Sequence, residues 1–121
     1  MITLTAQILV VLVALEHLLI LWIEMFAWDT VGKRVFRTIP EELFQPTKKL
    51  ASNQGLYNGF LSAGLFWSFF ISDRSWSVNV QLFFLGCVLI AGLYGAITSS
   101  RKIFFIQALP AVFAIIFVLL S

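Results

Sequence analysis

The run LTAQILVVLVALEHLLILWIEMFAW occupies residues 4–28. Its length and composition decide the fold. About 20 apolar residues in a helix cross a ~30 Å hydrocarbon core, and this run has that length. Similar apolar runs follow at about residues 50–71, 78–98 and 103–120. Hydrophobic residues make up 60% of the 121-residue chain and charged residues 12%, about half the charged share usual in a soluble domain. A soluble protein of this size could not bury so much apolar surface. Only helices and closed barrels satisfy their backbone in lipid, and no run alternates strictly between apolar and polar residues. The sequence therefore predicts an all-α protein. It is one membrane domain over residues 1–121, a four-helix transmembrane bundle running up-down-up-down, with a loop at 29–49.

The first run lacks the basic n-region and the small-residue cleavage site of a signal peptide, so it is expected to stay. The single cysteine, Cys87, cannot form an intramolecular disulfide and reads as a small packing residue.

Basic residues are unevenly placed. Lys33, Arg34, Arg37, Lys48 and Lys49 lie in the 29–49 loop, and Arg101 and Lys102 lie between the last two runs. The turn between the second and third runs has only Arg74, beside Asp73. The positive-inside rule then puts these two loops in the cytoplasm and both termini outside the inner membrane. The formal net charge of +2 reflects orientation rather than nucleic-acid binding. Within the long loop, TIPEELFQP offers Thr38 as a helix cap, Pro40 in the first turn and Glu41 as capping-box partner. Pro46 ends the segment.

The polar residues of the runs are not scattered. With Glu16 at zero on a helical wheel, His17 lies at ~100° and Glu24 at ~80°, so all three share one face. The second run answers with Asn53, Gln54, Tyr57 and Asn58, over an arc of ~140°. Gly55, Gly59 and Ala63 form a small-residue row beside them, suited to close helix approach. The third run carries Gly92, Tyr94, Gly95, Ala96 and Thr98, and the fourth carries Gln107 before Pro110. By depth these groups gather in the cytoplasmic half, with Gln7 and Gln81 as outliers. Ionisable residues at such depth cost about 2.5–3.5 kcal/mol each on the mildest scale, which makes Glu16, His17 and Glu24 candidates for ligand binding or proton handling. Interhelical glue is the alternative, worth about 0.6 kcal/mol per bond.

The segments EHLLILWIEMFAW, NQGLYNGFLSAGL, YGAIT and IQALPA, in that order, resemble the small bacterial membrane proteins of the domain of unknown function 1304 family. The resemblance covers nearly the whole chain. It implies a four-helix integral membrane protein of about this length. It also implies that Glu16, His17, Glu24, Asn53, Gln54, Tyr57, Asn58 and Gln107 are characteristic polar positions. It implies no chemistry.

Three functions fit the stripe. The first is binding or translocation of a small polar or amphipathic molecule. A four-helix chain is small for a transporter, so a homodimer within the lipid bilayer is expected with it. The second is intramembrane acid–base catalysis on a lipophilic substrate, with Glu and His moving a proton. The third is metal binding, which the spacing disfavours. Glu24 stands two turns from His17, ~10 Å along the axis, and no His or Cys pair supplements them. No metal site is predicted. No phosphate loop, nucleophile elbow or dinucleotide fingerprint is present, and no motif names a cofactor.

Overall fold

The computed structural model describes residues 1–121, in helices and turns without strands. Helix α1 spans Ile2–Phe26, α2 Val31–Val35, α3 Lys48–Ser68, α4 Arg74–Thr98 and α5 Arg101–Leu120. A single 3-10 turn, Glu41–Leu43, lies between α2 and α3. Three of the helices, α1, α4 and α5, are long and apolar enough to cross a membrane. Helix α3 has the length, at 21 residues, but Lys48, Lys49, Ser52, Asn53, Gln54 and Asn58 dilute its first half.

Helix ends follow local hydrogen bonding. Helix α4 begins at Arg74, ahead of the apolar run, because Asp73 Oδ1 accepts from the Trp76 amide at 2.9 Å, a standard N-cap. Ser100 does the same for α5, accepting from the Lys102 amide at 3.2 Å. Helix α3 stops at Ser68, where Ser77 Oγ donates to the Ser68 carbonyl at 2.7 Å and satisfies one of the carbonyls that a helix end leaves open. The loop departs from the expected capping box. Pro40, extended at φ −55° and ψ 140°, precedes the Glu41–Leu43 turn, and no side chain caps it. Only three residues of turn follow Pro40, which leaves no α-helical first turn for Thr38 and Glu41 to close. Pro46 does not end a helix either; turns run on from Phe44 directly into α3.

The chain forms two compact packing units. The first comprises Met1–Leu15 and Leu61–Ser121, and the second comprises Glu16–Phe60. In the first unit, Ala6, Val10, Val13 and Ala14 of α1 form a core with Leu65 of α3, Leu85 and Val88 of α4, and Ala111, Ala114 and Val118 of α5. Small residues set the spacing. The Phe84 ring fills the space beside Gly64, and Ser62 Oγ donates to the Ala14 carbonyl at 2.8 Å.

Helix α5 is irregular between Phe104 and Ala108, where it takes π geometry and the Leu109 amide bonds back to the Phe104 carbonyl. Pro110 accounts for this. It has no amide hydrogen, and in α geometry its ring would press on the carbonyl four residues earlier; a widened turn relieves that crowding. The backbone at Ala108 then approaches Gly92 so closely that a Cβ there would lie 2.7 Å from the Ala108 nitrogen. Gly95 faces Ile103 in the same way, at 3.0 Å. In the second unit, Trp28, Phe44 and Ala51 form a separate buried cluster, with Phe36 and Ile39 packed on it.

Two glycine substitutions in α4 should separate packing from propensity. Gly92→Val meets backbone that cannot move aside, and should lose about 1–3 kcal/mol. At Gly86 nothing lies within 4 Å of an added Cβ, so Gly86→Ala should be neutral or gain up to ~1 kcal/mol of helix propensity. Thermal unfolding in detergent checks both. Equal effects at the two sites would contradict the close approach of α4 and α5.

Candidate functional site

The second packing unit holds most of the predicted polar positions. Its frame is the second half of α1 against the first half of α3. Gly55 makes the approach. A Cβ at that position would meet Met25 Cγ at 2.8 Å, Glu24 Cβ at 3.0 Å and the Leu21 carbonyl at 3.2 Å. Gly59 one turn later faces Leu21 Cδ1 at 2.5 Å. Ala63 does not continue this row, for it is exposed, whereas Ser62 is buried. In the other unit Gly92 is buried and Gly95 and Ala96 are half-buried.

With the helices this close, Glu24 and Asn58 are both withdrawn from the surface, at 4% and 9% exposure. Asn58 Nδ2 donates to Glu24 Oε1 at 2.6 Å. The same nitrogen lies 3.2 Å from the Gln54 carbonyl one turn back. One amide group thus uses both its hydrogens, one across the helix pair and one within α3. Glu24 is in neither of the two ion pairs. Its partner is neutral, which limits the bond to one acceptor oxygen and leaves the carboxylate otherwise uncompensated by charge.

Glu16 and His17 lie higher on α1. His17 is 1% exposed. Glu16 is half-buried, and its Oε1 is buried with no hydrogen-bond partner. Asn53, Gln54 and Tyr57 are not drawn in. All three are exposed, and Tyr57 instead sets its ring edge-on to Phe60, 5.8 Å between centroids. Gln54 contributes to the buried pair only through its carbonyl. Gln107 is half-buried within the π turn of the first unit. No group of three or more His, Cys, Asp or Glu side chains lies close enough to hold a metal ion.

Beneath this pair lies a layer that the polar pattern did not announce. Trp28 packs on Phe44 and Phe36, at 5.0 and 5.3 Å between centroids, and donates Nε1 to Thr47 Oγ1 at 3.0 Å. Thr47 donates in turn to the Leu43 carbonyl at 2.7 Å. Lys48 bonds Asp29 at 3.0 Å across the two ends of the loop, and the Lys48 ammonium holds the Asp29 carboxyl below the usual carboxylate range. Lys33 and Glu41, at 3.5 Å and exposed, add little. The readable signal was chemical rather than periodic. A Trp that is to be buried needs a partner for its N–H, and Asp29 and Lys48 are opposite charges at the two mouths of one loop.

The arrangement can hold two helices by a polar bond and can present a second carboxylate, on Glu16, to a hydrogen-bond donor. Asn58→Leu should lower stability by about 1–3 kcal/mol, because it strands the buried Glu24 oxygen. Asn53→Leu, on the exposed face, should change it by less than ~0.5 kcal/mol. Thermal unfolding of the two variants in detergent is the check, and a larger loss for Asn53→Leu would contradict the geometry.

Comparison with known proteins agrees on one family. The profile described as protein of unknown function (DUF1304) matches residues 11–119. The chain is 38% identical over 116 residues to the Uncharacterized protein YpaA of Lactococcus lactis subsp. lactis (strain IL1403), a match covering 94% of this chain and 96% of that protein. No solved structure matches. The match runs from the first half of α1 almost to the end of α5 and takes in both packing units, so the chain belongs to the DUF1304 family.

Proposed function

We propose that the chain is a multi-pass protein of a bacterial inner membrane. Its four long helices, α1, α3, α4 and α5, run up-down-up-down with both termini outside the cytoplasm. In this reading the ionisable stripe of α1 binds a small polar or amphipathic molecule. Helix α3 completes the set because its length suffices and its polar face is partly consumed by the Asn58–Glu24 bond. Orientation is argued from Lys33, Arg34, Arg37, Lys48, Lys49, Arg101 and Lys102, all in the two loops assigned to the cytoplasm.

The observation that carries the binding reading is Glu16 Oε1, buried in an apolar helix with no hydrogen-bond partner. Nearly all buried polar groups in proteins are bonded, so an exception asks for a reason. A carboxylate in an apolar helix is a functional candidate by default. It offers lone pairs to the amine, hydroxyl or amide of an incoming molecule, whose apolar part would lie among the surrounding side chains. A structural reading is favoured at Glu24 instead, where the 2.6 Å bond to Asn58 is already made. The two carboxylates of α1 are therefore assigned different roles: Glu24 joins helices and Glu16 meets the ligand.

The roles carry opposite signs. Glu16→Leu removes a polar atom that nothing compensates, so the ligand-free protein should be as stable as the parent or gain about 1 kcal/mol or more. Native mass spectrometry of protein extracted with its own lipids should show a bound mass on the parent, lost from Glu16→Leu and weakened in Glu16→Gln. If Glu16→Leu melts well below the parent, or keeps the bound mass, the binding reading fails.

A further inference from the structure

The first packing unit contains a polar cavity remote in sequence from the α1 stripe. It measures about 210 Å3 and lies where the end of α3, the start of α4, the start of α1 and the end of α5 meet. At ~30 Å3 per water molecule, that is room for about seven, or for one headgroup-sized solute. Gln7 and Gln81, the two polar residues that stand apart from the others in sequence, both line it. So do Ser77 and Arg74, the one charged side chain in its wall.

The wall is held by its own hydrogen bonds. Gln81, 7% exposed, donates Nε2 to Ser68 Oγ at 3.1 Å, and Ser68 Oγ donates to the Leu65 carbonyl at 2.6 Å. The neighbouring carboxylate, Asp73, is committed to the Trp76 amide. Arg74 is in neither of the two ion pairs. Its Nη2 donates to the Ser121 carbonyl at 2.9 Å, one of the five N–H groups that a guanidinium carries. A guanidinium fork with donors to spare, set beside amides and hydroxyls, is the chemistry that takes an oxyanion, above all phosphate.

The setting adds to this. Trp67, Phe70 and Trp76 stand exposed around the same turn, at 56%, 86% and 64%. Aromatic side chains gathered at a helix end mark the headgroup level of a bilayer. We propose that this cavity is a phosphate-binding site, with Arg74 as its anchor and Gln7, Ser77 and Gln81 as its neutral partners. The phosphate belongs to a lipid headgroup or is free in solution, and the incoming group competes with the Ser121 carbonyl for Nη2. This site stands apart from the α1 stripe and does not depend on Glu16 binding anything.

The test uses the full chain in detergent, titrated with inorganic phosphate, with phosphatidylglycerol, and with diacylglycerol carrying the same acyl chains but no phosphate. Thermal unfolding is the readout. Phosphatidylglycerol should raise the midpoint and diacylglycerol should not. An equal response to inorganic phosphate assigns the site to the free ion, and a response to the lipid alone assigns it to a headgroup. Arg74→Gln should weaken the response roughly tenfold or more, as loss of a charge-assisted hydrogen bond implies. Arg74→Lys should restore part of it, and Gln81→Leu should weaken it less than Arg74→Gln. A response that survives Arg74→Gln unchanged, or no response to either phosphate compound, overturns the proposal. Neither result touches the α1 stripe, so each proposal can fail alone.

Discussion

Asn58 reaches Glu24 across 2.6 Å, and that bond exists only because α3 presents no side chain at Gly55. A Cβ there would meet Glu24, Met25 and the Leu21 carbonyl at 3.2 Å or less. Packing and polarity are therefore one constraint. The glycine admits the neighbouring helix, and the closeness excludes water from a carboxylate, which must then find a protein partner. An amide serves because it donates two hydrogens, one to the carboxylate and one to the Gln54 carbonyl. In an apolar solvent such bonds average only about 0.6 kcal/mol in measured pairs, yet leaving one half unpaired costs more.

The first packing unit solves the same problem without charge. Hydrophobic burial does little to join helices when the solvent is itself apolar, so van der Waals contact over small residues must do it. Gly64 under the Phe84 ring, Ala14 under the Ser62 hydroxyl and Gly92 against the Ala108 backbone are three instances. The third depends on Pro110. By widening the turn before it, the proline moves the Phe104–Ala108 segment to where only a glycine on α4 can receive it.

Much of this can be read from the chain. The apolar runs locate the long helices, and the Glu16–His17–Glu24 face singles out α1. What cannot be read is helical phase. Asn53, Gln54, Tyr57 and Asn58 cover an arc of ~140° by helical geometry, more than a single neighbour can bury, so some had to face outward. The structure keeps Asn58 inside and leaves Asn53, Gln54 and Tyr57 exposed. The same ambiguity lets Ser62 rather than Ala63 follow Gly55 and Gly59 into the interface. Thr38 and Glu41 carry the pattern of a capping box, but Pro40 fixes an extended backbone there and the turn that follows is too short. The Arg74–Gln81 cavity was hidden for another reason. Its residues come from both ends of the chain and from the α3–α4 turn, and no local spacing joins them.

A double-mutant cycle on the pair that closes the second unit tests the account most directly. Glu24→Leu, Asn58→Leu and the double variant would be compared with the parent by thermal unfolding in one detergent. The account expects each single change to destabilise and the double change to cost less than their sum, with a coupling energy of about 0.6–1.7 kcal/mol. A coupling energy of zero, with the two losses simply adding, would contradict the claim that Glu24 and Asn58 answer each other.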